Sequence, residues 1–479
     1  MKKFLLSFLC AIALGYSFAQ VPCENGYAGT YQCSGVDLMS RLSIPEIGGG
    51  QNLNDCWGWT SPTGKEIAII GRSDGTSFID ISDPIAPVYL GNLPTHTTPS
   101  LWRDIKVYQN HAFIVAEAGG HGMQVFNLLQ LENIQNAPAV FEETAHYPNF
   151  GNAHNIAINE STGYAYAAGS NTFQGGLHII DITNPTQPQL AGGFEQDGYT
   201  HDAQIVIYQG PDADYAGREI ALCCNEDFVT LADVSDKTDC QLISTMSYPN
   251  VGYVHQGWLT EDHRFFLQND ELDEMNNFFA TRTHIWNVED LDSPAYIGYY
   301  SAPVISSDHN LYTKGNAAYL TNYLSGLRVV DITNVASGNL EEIAFFDTEG
   351  GLNIPGFNGT WSNYPWFESG NIVLSSMQNG MFIVRLQEGI VNLDEPLIAS
   401  DKTIHCWPNP ASGFLQIEWL QGKSLNIFDV YDRYGRLVRQ TELSGISGRF
   451  SLDISDLPSG MYLLKNRMQG GISLRFIAE

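Results

Sequence analysis

Two eight-residue stretches, SFIDISDP at residues 77–84 and HIIDITNP at residues 178–185, are copies of one pattern. Each is an apolar strand that ends in Asp and is followed by a turn containing Ser or Thr and then Pro. The strand with its polar residue recurs at 230–234, 284–288 and 328–332, and in looser form at 124–128 and 381–385. Seven copies of one short strand predict a repeat architecture.

A second set of residues precedes these copies, and each member opens a short apolar run. The set is Cys56, Arg103, His154, His201, His255, His309 and Thr360. The spacing averages about 51 residues, which is typical of a four-stranded propeller blade. Helical periodicity is nearly absent between residues 50 and 390. Two unrelated β-sandwiches would not produce such even spacing, so the predicted fold is all-β, a seven-bladed β-propeller.

The predicted blades bring polar side chains to one face of the ring. In an up-and-down blade, the innermost strand starts at the face where the second strand ends. We therefore expect a ligand site at this mouth of the central channel, formed by Arg103, Asp104, Glu117, Asp202, Glu226, Asp270, Glu271 and Asp308.

The four histidines His154, His201, His255 and His309 are the candidate metal ligands at the same mouth. Imidazoles suit transition metals such as Zn, and carboxylates with Asn carbonyls suit Ca, so a divalent metal is the candidate cofactor. The alternative is structural, because polar side chains at a propeller mouth also tie neighbouring blades together. The acidic run 269–274 resembles a calcium loop in composition but lacks the EF-hand spacing and glycine.

The charge balance limits the classes of partner. The chain has 479 residues, a formal charge of −30 and a pI near 4.5, yet 43% of its residues are apolar. This composition predicts a folded protein with a large core, and it excludes a nucleic-acid binder that neutralises phosphates.

The first 19 residues have the pattern of a secretory signal peptide: two lysines, an apolar run from Phe4 to Leu14, and a small-residue cleavage site. No later stretch reaches the length of a transmembrane segment. In an oxidising compartment we expect a disulfide between Cys23 and Cys33, and a second one joining Cys240 to Cys223 or Cys224.

No catalytic signature of the HExxH, GxSxG or GxxxxGK[ST] type occurs in the sequence. Two functional classes stay open. The favoured one is a non-enzymatic binding protein whose extracellular ligand is a protein, a glycan or a small molecule. The alternative is a metal-assisted hydrolase or lyase that uses the His and carboxylate residues of the mouth.

Specific stretches of the repeat region include Trp102–Tyr108, His121–Phe126, Gly198–Asp202 and His255–Asp262. On these stretches the chain from about Cys33 to Leu386 resembles the secreted choice-of-anchor B family of β-propellers, which is related to LVIVD-repeat surface proteins. The resemblance implies a secreted or surface-displayed propeller, and it implies no particular reaction.

Residues 403–479 resemble the type A C-terminal sorting domain of the type IX secretion system. The resemblance rests on Pro408-Asn409-Pro410-Ala411, Tyr431-Asp432 with Gly435-Arg436, and Leu457–Tyr462. It implies a small Ig-like β-sandwich that the secretion machinery binds, and hence export across the outer membrane to the cell surface or the medium. The predicted organisation is a signal peptide at 1–19, an N-terminal segment at 20–50, LVIVD-like propeller repeats at 51–387, a linker at 388–402 and the sorting domain at 403–479.

Overall fold

A computed structural model describes residues 20–351, 353–390, 404–407, 411, 413–419, 425–432, 436–444, 448–466 and 473–478. The predicted signal peptide therefore lies outside the described residues, as does most of the predicted linker. By its internal contacts the chain divides into two units, residues 1–397 and 398–479.

The first unit is a seven-bladed β-propeller, as the repeat spacing predicts. Its strands, from the channel outward, are Leu53–Thr60, Glu66–Arg72, Gly75–Asp80 and Val88–Pro94 in blade 1; Arg103–Tyr108, His111–Ala116, Met123–Asn127 and Ala145–Tyr147 in blade 2; Asn155–Asn159, Tyr164–Ala168, Leu177–Asp181 and Gln189–Phe194 in blade 3; Asp202–Ile207, Glu219–Cys224, Val229–Asp233 and Gln241–Met246 in blade 4; Val254–Leu259, Phe265–Asp270, Arg282–Asn287 and Ala295–Ser301 in blade 5; Leu311–Lys314, Ala317–Thr321, Leu327–Asp331 and Glu341–Phe346 in blade 6; and Thr360–Tyr364, Asn371–Ser376, Gly380–Leu386 and Val36–Leu42 in blade 7.

Blade 7 takes its outermost strand, Val36–Leu42, from the N-terminal segment, so the two ends of the propeller are held in one sheet. Tyr31–Ser34 and Tyr27–Ala28 extend blade 6 at its outer edge, and Ala139–Val140 adds a parallel strand to blade 1. The described helices are short: Asp273–Asn277 is α-helical, and 3₁₀ turns lie at Ile44–Ile47, Leu128–Asn133, Phe173–Gly175 and Val335–Ser337.

The repeated Asp has a local structural role at the end of the third strand in several blades. Asp80 Oδ1 accepts hydrogen bonds from the backbone N–H and the hydroxyl of Ser82. Asp181 binds Thr183 and Asp331 binds Thr333 in the same way. An Asp or Asn side chain that caps its own turn favours a tight change of direction, which explains why the motif recurs in successive blades.

Apolar side chains pack between neighbouring blades, where each sheet faces the next. Blades 5 and 6, for example, share a cluster in which Phe265 and Leu267 meet Leu311 and Leu320. Continuous apolar layers of this kind bury both faces of every sheet, and they supply the main stabilisation of the ring.

The predicted disulfide between Cys23 and Cys33 is confirmed. The predicted second disulfide is wrong, because Cys223, Cys224 and Cys240 are free, buried thiols. Cys223 and Cys224 are adjacent in one strand and therefore face opposite sides of the sheet. Cys223 packs in the same cluster as Cys240, whose Sγ donates to the carbonyl of Asp236.

In the second unit, seven strands form two antiparallel sheets. One contains Ile404–Trp407, Phe414–Trp419 and Gly448–Asp453, and the other contains Leu437–Ser444, Leu425–Asp432, Gly460–Asn466 and Ser473–Ala478. Leu415, Ile417 and Leu452 from the first sheet share one core with Phe428 and Val430 from the second. This is a β-sandwich, as predicted, and its Ig-like topology stays a prediction.

Candidate functional site

The seven innermost strands surround the central channel and contribute residues to it at three levels. The mouth positions are Asn54, Arg103, His154, His201, His255, His309 and Trp361. The middle ring follows one residue later and consists of Asp55, Asp104, Asn155, Asp202, Gln256, Asn310 and Ser362. The aromatic ring follows two residues further on and consists of Trp57, Lys106, Ala157, Gln204, Trp258, Tyr312 and Tyr364.

Hydrogen bonds establish this alignment, and they shift two positions of the predicted set. The Asp55 carboxylate accepts from the next backbone N–H, as those of Asp104 and Asp202 do. Asn54 is therefore the mouth residue of blade 1, two positions before the predicted Cys56. In blade 7 the mouth residue is Trp361 rather than Thr360, because its carbonyl accepts from His309. Both strands contain a β-bulge at this point, which the repeat spacing does not reveal.

The four predicted histidines form a continuous arc of rings at the mouth. Neighbouring ring centroids are 4.1 Å apart for His154 and His201, 4.4 Å for His201 and His255, and 4.3 Å for His255 and His309. Nδ1 of His201 lies 3.1 Å from the His255 carbonyl, and Nδ1 of His309 lies 2.6 Å from the Trp361 carbonyl. Because a backbone carbonyl can only accept a hydrogen bond, Nδ1 of each ring is the donor, and in the neutral imidazole Nε2 keeps its lone pair.

Burial keeps three of these imidazoles neutral. His201, His255 and His309 are each less than 5% exposed. Desolvation lowers the pKa of His201 and His255 well below the ordinary value, with neighbouring imidazoles adding to the effect, and it lowers the pKa of His309 to about 3. A neutral imidazole is the form that binds a metal ion.

Glu271 joins two of the histidines to form a group with metal-ligand geometry. Its Oε1 lies 3.9 Å from Nε2 of both His255 and His309, and it accepts a 2.6 Å hydrogen bond from the Tyr323 hydroxyl. Burial raises the pKa of Glu271 to about 7. One ligand atom from each of these three residues lies within 4.8 Å of the other two. His201 and His154 are further along the arc and are not part of this group.

Two more predicted carboxylates are located at the same mouth. Glu117 Oε1 lies 2.6 Å from Nδ1 of His154. Glu226 Oε1 accepts from the hydroxyl of Tyr253, whose ring packs against His201. The mouth therefore gathers four histidines and three glutamates, each glutamate at or just beyond the end of a second strand.

The other five predicted residues are not part of this group of histidines and glutamates. Arg103 is buried against its neighbours, where it donates to the Arg72 carbonyl and to Thr95. Asp104 and Asp202 belong to the middle ring. Asp270, the last residue of the second strand of blade 5, is buried and accepts hydrogen bonds from the Tyr248 hydroxyl and from backbone N–H groups. Asp308 is fully buried behind the mouth.

The middle ring is acidic, and the cation Lys106 of the aromatic ring lies beside it. Asn310 donates to Asp55 at 3.3 Å across blade 7, so both side chains face the channel. Lys106 Nζ lies 2.6 Å from Asp104, and although burial opposes it, the carboxylates of Asp104, Asp55 and Asp202 raise the pKa of Lys106. Burial raises the pKa of Asp202 to about 7.

Beyond the middle ring is a cavity of about 610 Å³ that the sequence reasoning missed. Five aromatic side chains line it: Trp57, Trp258, Tyr312, Tyr364 and Trp366. Trp366 contacts the others, with ring centroids at 4.9 Å from Tyr312, 5.4 Å from Trp57 and 5.9 Å from Trp258. Asp202, Gln204, Gln256 and Lys106 supply polar groups at its inner end. The signal in the sequence was an aromatic residue three positions after the mouth residue in four of the seven blades.

Elsewhere among the described residues, three further groups have ligand atoms close enough to hold a metal: His96 with Glu143 and His146, Asp270 with Asp273 and His284, and Asp212 with Asp290 and Asp292. In the first, the His96 and His146 rings are stacked at 3.7 Å. No helix in the described part of the chain is long and apolar enough to cross a membrane.

Comparison with protein families identifies two segments. Residues 405–478 match the secretion system C-terminal sorting domain, and residues 150–195, which contain blade 3, match the LVIVD repeat. No curated protein sequence matches the chain.

Several solved structures are similar to this chain at low sequence identity. PorZ, a surface component of the type IX secretion system of Porphyromonas gingivalis, is 12% identical with a TM-score of 0.45; the match covers 89% of this chain and 59% of that one. Hydrazine synthase of Kuenenia stuttgartiensis is 10% identical with a TM-score of 0.48, covering 72% and 97%. The periplasmic gluconolactonase PpgL of Pseudomonas aeruginosa is 12% identical with a TM-score of 0.42, covering 60% and 84%. The sorting domain indicates that this propeller is secreted across the outer membrane to the cell surface or the extracellular space.

Proposed function

We propose that this chain is a non-enzymatic binding protein that holds a carbohydrate at the aromatic end of its channel. The observation that supports this proposal is the cavity lined by three Trp and two Tyr side chains. It has the volume of a small-molecule site, and its lining combines these aromatic rings with polar side chains. A preformed cavity of this kind favours a ligand that has apolar faces and polar edges.

A sugar ring has these properties, because its C–H groups form a flat apolar face and its hydroxyls lie around the rim. The negative face of a Trp ring attracts the partly positive C–H groups. Gln204 and Gln256 use their Oε1 atoms to accept backbone N–H groups of the next innermost strand, so both amides are held in place beside the cavity. Asp202 and the Lys106–Asp104 pair add charged groups, which form strong hydrogen bonds with sugar hydroxyls.

The resemblance to choice-of-anchor B propellers supports display of such a site at the cell surface. The sorting domain supports the proposal that the secretion machinery binds this chain during export. After export, the channel of the protein is exposed to extracellular glycans, which are therefore the expected ligands.

The test is a titration of the purified mature chain with a panel of neutral oligosaccharides, followed by tryptophan fluorescence and calorimetry. We expect saturable binding that is weakened at least tenfold in Trp258→Ala and in Trp366→Ala. Trp102→Ala is the matched control, because Trp102 is 43% exposed and does not line the cavity. Absence of binding across the panel, or an equal loss in the Trp102 variant, would overturn the proposal.

The alternative function, a metal-assisted hydrolase or lyase, is favoured by one observation. Two histidines and a glutamate, the set His255, His309 and Glu271, form a three-ligand group at the mouth. Catalytic zinc sites commonly have three protein ligands and leave a fourth position open for water. Zinc binding at this group is a precondition for that function, and it is tested separately below.

A further inference from the structure

A cluster of two histidines and one glutamate lies at the outer edges of blades 1 and 2. His96 follows the outermost strand of blade 1, which ends at Pro94. Glu143 lies just before the outermost strand of blade 2, and His146 lies within it. One ligand atom of each of these three residues lies within 4.8 Å of the other two. The cluster therefore takes its ligands from two neighbouring blades, and it shares no residue with the histidine arc of the channel mouth.

The contact between His96 and Glu143 has the dimensions expected for two ligands of one ion. His96 Nδ1 lies 3.0 Å from Oε1 and 3.2 Å from Oε2 of Glu143. Two ligand atoms of a tetrahedral zinc site, each about 2 Å from the metal, are themselves about 3.3 Å apart. A metal ion can therefore take the place of the hydrogen between Nδ1 and the carboxylate, and the His96 proton then moves to Nε2 of the same ring.

His146 supplies the third ligand atom. Its Nε2 lies 2.7 Å from the His121 carbonyl, so Nε2 donates a hydrogen bond and, in the neutral imidazole, Nδ1 keeps the lone pair. The rings of His146 and His96 are stacked with their centroids 3.7 Å apart and an angle of 10° between their planes. The terminal torsion of a histidine side chain is soft, so these partly exposed rings can turn their lone pairs toward one ion.

Further hydrogen bonds hold the ligands in a way that is typical of metal sites. A metal-bound histidine commonly donates its other ring N–H to a backbone carbonyl, and a metal-bound carboxylate is itself hydrogen-bonded. His146 makes the first of these contacts with His121. Gln124 makes the second, since its Nε2 donates to Glu143 Oε2 at 2.9 Å, and the same nitrogen donates to the Pro94 carbonyl at 3.1 Å. Gln124 thereby ties the carboxylate to the end of the blade 1 strand.

The ligand types and their exposure favour a transition metal that enters from solvent. Imidazole and carboxylate groups together are ligands of zinc sites, whereas Ca²⁺ prefers a set made of oxygens only. The side chains of His96 and Glu143 are 32% and 25% exposed, so an ion can reach them. In contrast, the group of Asp270, Asp273 and His284 is buried, and an arginine already pairs with Asp273.

We propose that His96, Glu143 and His146 form a zinc site that fastens the outer edge of blade 1 to that of blade 2. Three protein ligands leave a fourth position that water or a ligand atom of another molecule can fill. The site uses no residue of the aromatic cavity or of the histidine arc. It is therefore independent of the carbohydrate proposal and of zinc binding at the mouth.

The experiment uses the full mature chain with His255→Ala, because this substitution removes a ligand of the mouth group. The protein is freed of metal with a chelator and titrated with ZnCl₂ by calorimetry and by thermal unfolding. We expect one tightly bound Zn²⁺ per chain and a rise in the unfolding midpoint, since the ion binds the folded state only. His96→Ala, His146→Ala and Glu143→Gln should each weaken binding at least tenfold and remove this rise. An excess of CaCl₂ should not displace the zinc.

His111→Ala is the matched control. His111 is a partly exposed histidine of the same blade, and it belongs to none of the metal-ligand groups found in the described part of the chain. Its variant should keep both the zinc affinity and the rise in the midpoint. The proposal is wrong if zinc binding does not saturate, or if His111→Ala loses as much affinity as His96→Ala. It is also wrong if Glu143→Gln keeps the full affinity, because zinc would then bind a surface histidine pair only.

Discussion

Ser369 donates a 2.7 Å hydrogen bond to Glu66 although the two residues are 303 positions apart in the chain. Glu66 opens the second strand of blade 1, and Ser369 precedes the second strand of blade 7. The Ser369 backbone N–H and the Asn371 amide donate to the same carboxylate, at 3.2 and 3.1 Å. One nearly buried side chain therefore helps to join the first and last blades.

Glu66→Ala should destabilise the propeller by about 1 to 2 kcal/mol, because it leaves the buried Asn371 amide without its charged acceptor and removes two hydrogen bonds from the exposed Ser369. The measurement is urea unfolding of the full chain, followed by tryptophan fluorescence. Glu142→Ala, at an exposed position, is the control and should change the free energy of unfolding by less than about 0.5 kcal/mol. Equal effects of the two substitutions would show that the Glu66 contacts do not hold the ring closed.

His178 should make the propeller less stable in acid. It is 2% exposed, lies 2.8 Å from the Tyr147 hydroxyl, and burial lowers its pKa from 6.5 to about 4. Between pH 6.5 and 4 the unfolded chain takes up a proton at this residue and the folded chain does not. The contribution of His178 is therefore complete above pH 6.5 and is lost as the pH falls toward 4, by about 2 to 3 kcal/mol.

The measurement for His178 is the free energy of unfolding of the wild type and of His178→Gln across this pH range. The variant should lose less stability between pH 6.5 and 4 than the wild type does, whatever its stability at neutral pH. Parallel curves for the two proteins would contradict the prediction.

Zinc should bind the channel mouth through His255, His309 and Glu271. His255→Ala and Glu271→Gln should each weaken Zn²⁺ binding at least tenfold in calorimetry, since each removes one of three ligands. His201→Ala should keep most of the affinity, because His201 lies beside the group rather than in it. The surface group at His96 is a second possible acceptor, so all measurements are made in a His96→Ala background. Equal losses in the His201 and His255 variants would contradict this assignment.

Deletion of residues 403–479 should leave the propeller in the periplasm of a host with a type IX system. These residues contain the segment that matches the sorting domain, and the propeller unit has its own apolar clusters between blades. Cell fractionation with an antibody against the propeller measures the distribution. The wild-type chain in a strain that lacks the secretion machinery is the control and should show the same retention. Normal export of the shortened chain would refute the prediction.

The fold could be predicted from the sequence because the motif that identifies each blade is local and repeated. The capped strand ends at Asp80, Asp181 and Asp331 each follow from a few adjacent residues, so the motif identifies the blades wherever it occurs. The β-bulges in the first and last innermost strands were not accessible, since a bulge depends on pairing with a neighbouring strand. The mouth positions of blades 1 and 7 were displaced, whereas in blade 5, whose innermost strand also contains a bulge, the histidine itself marked the position.

Part of the candidate site could be predicted from the sequence. The sequence by itself determined that the four histidines and Glu117, Glu226 and Glu271 come to one face, because strand direction in a repeat decides which ends meet. Only the tertiary structure decided that Glu271 lies between His255 and His309, and that both carboxylate oxygens of Asp308 are buried without a hydrogen-bond partner among the described residues. It also decided that five aromatic rings from separate blades form one cavity. The physical reason is that such contacts depend on the closure of the ring and on the twist of its sheets. The sequence of a single blade does not determine either of them.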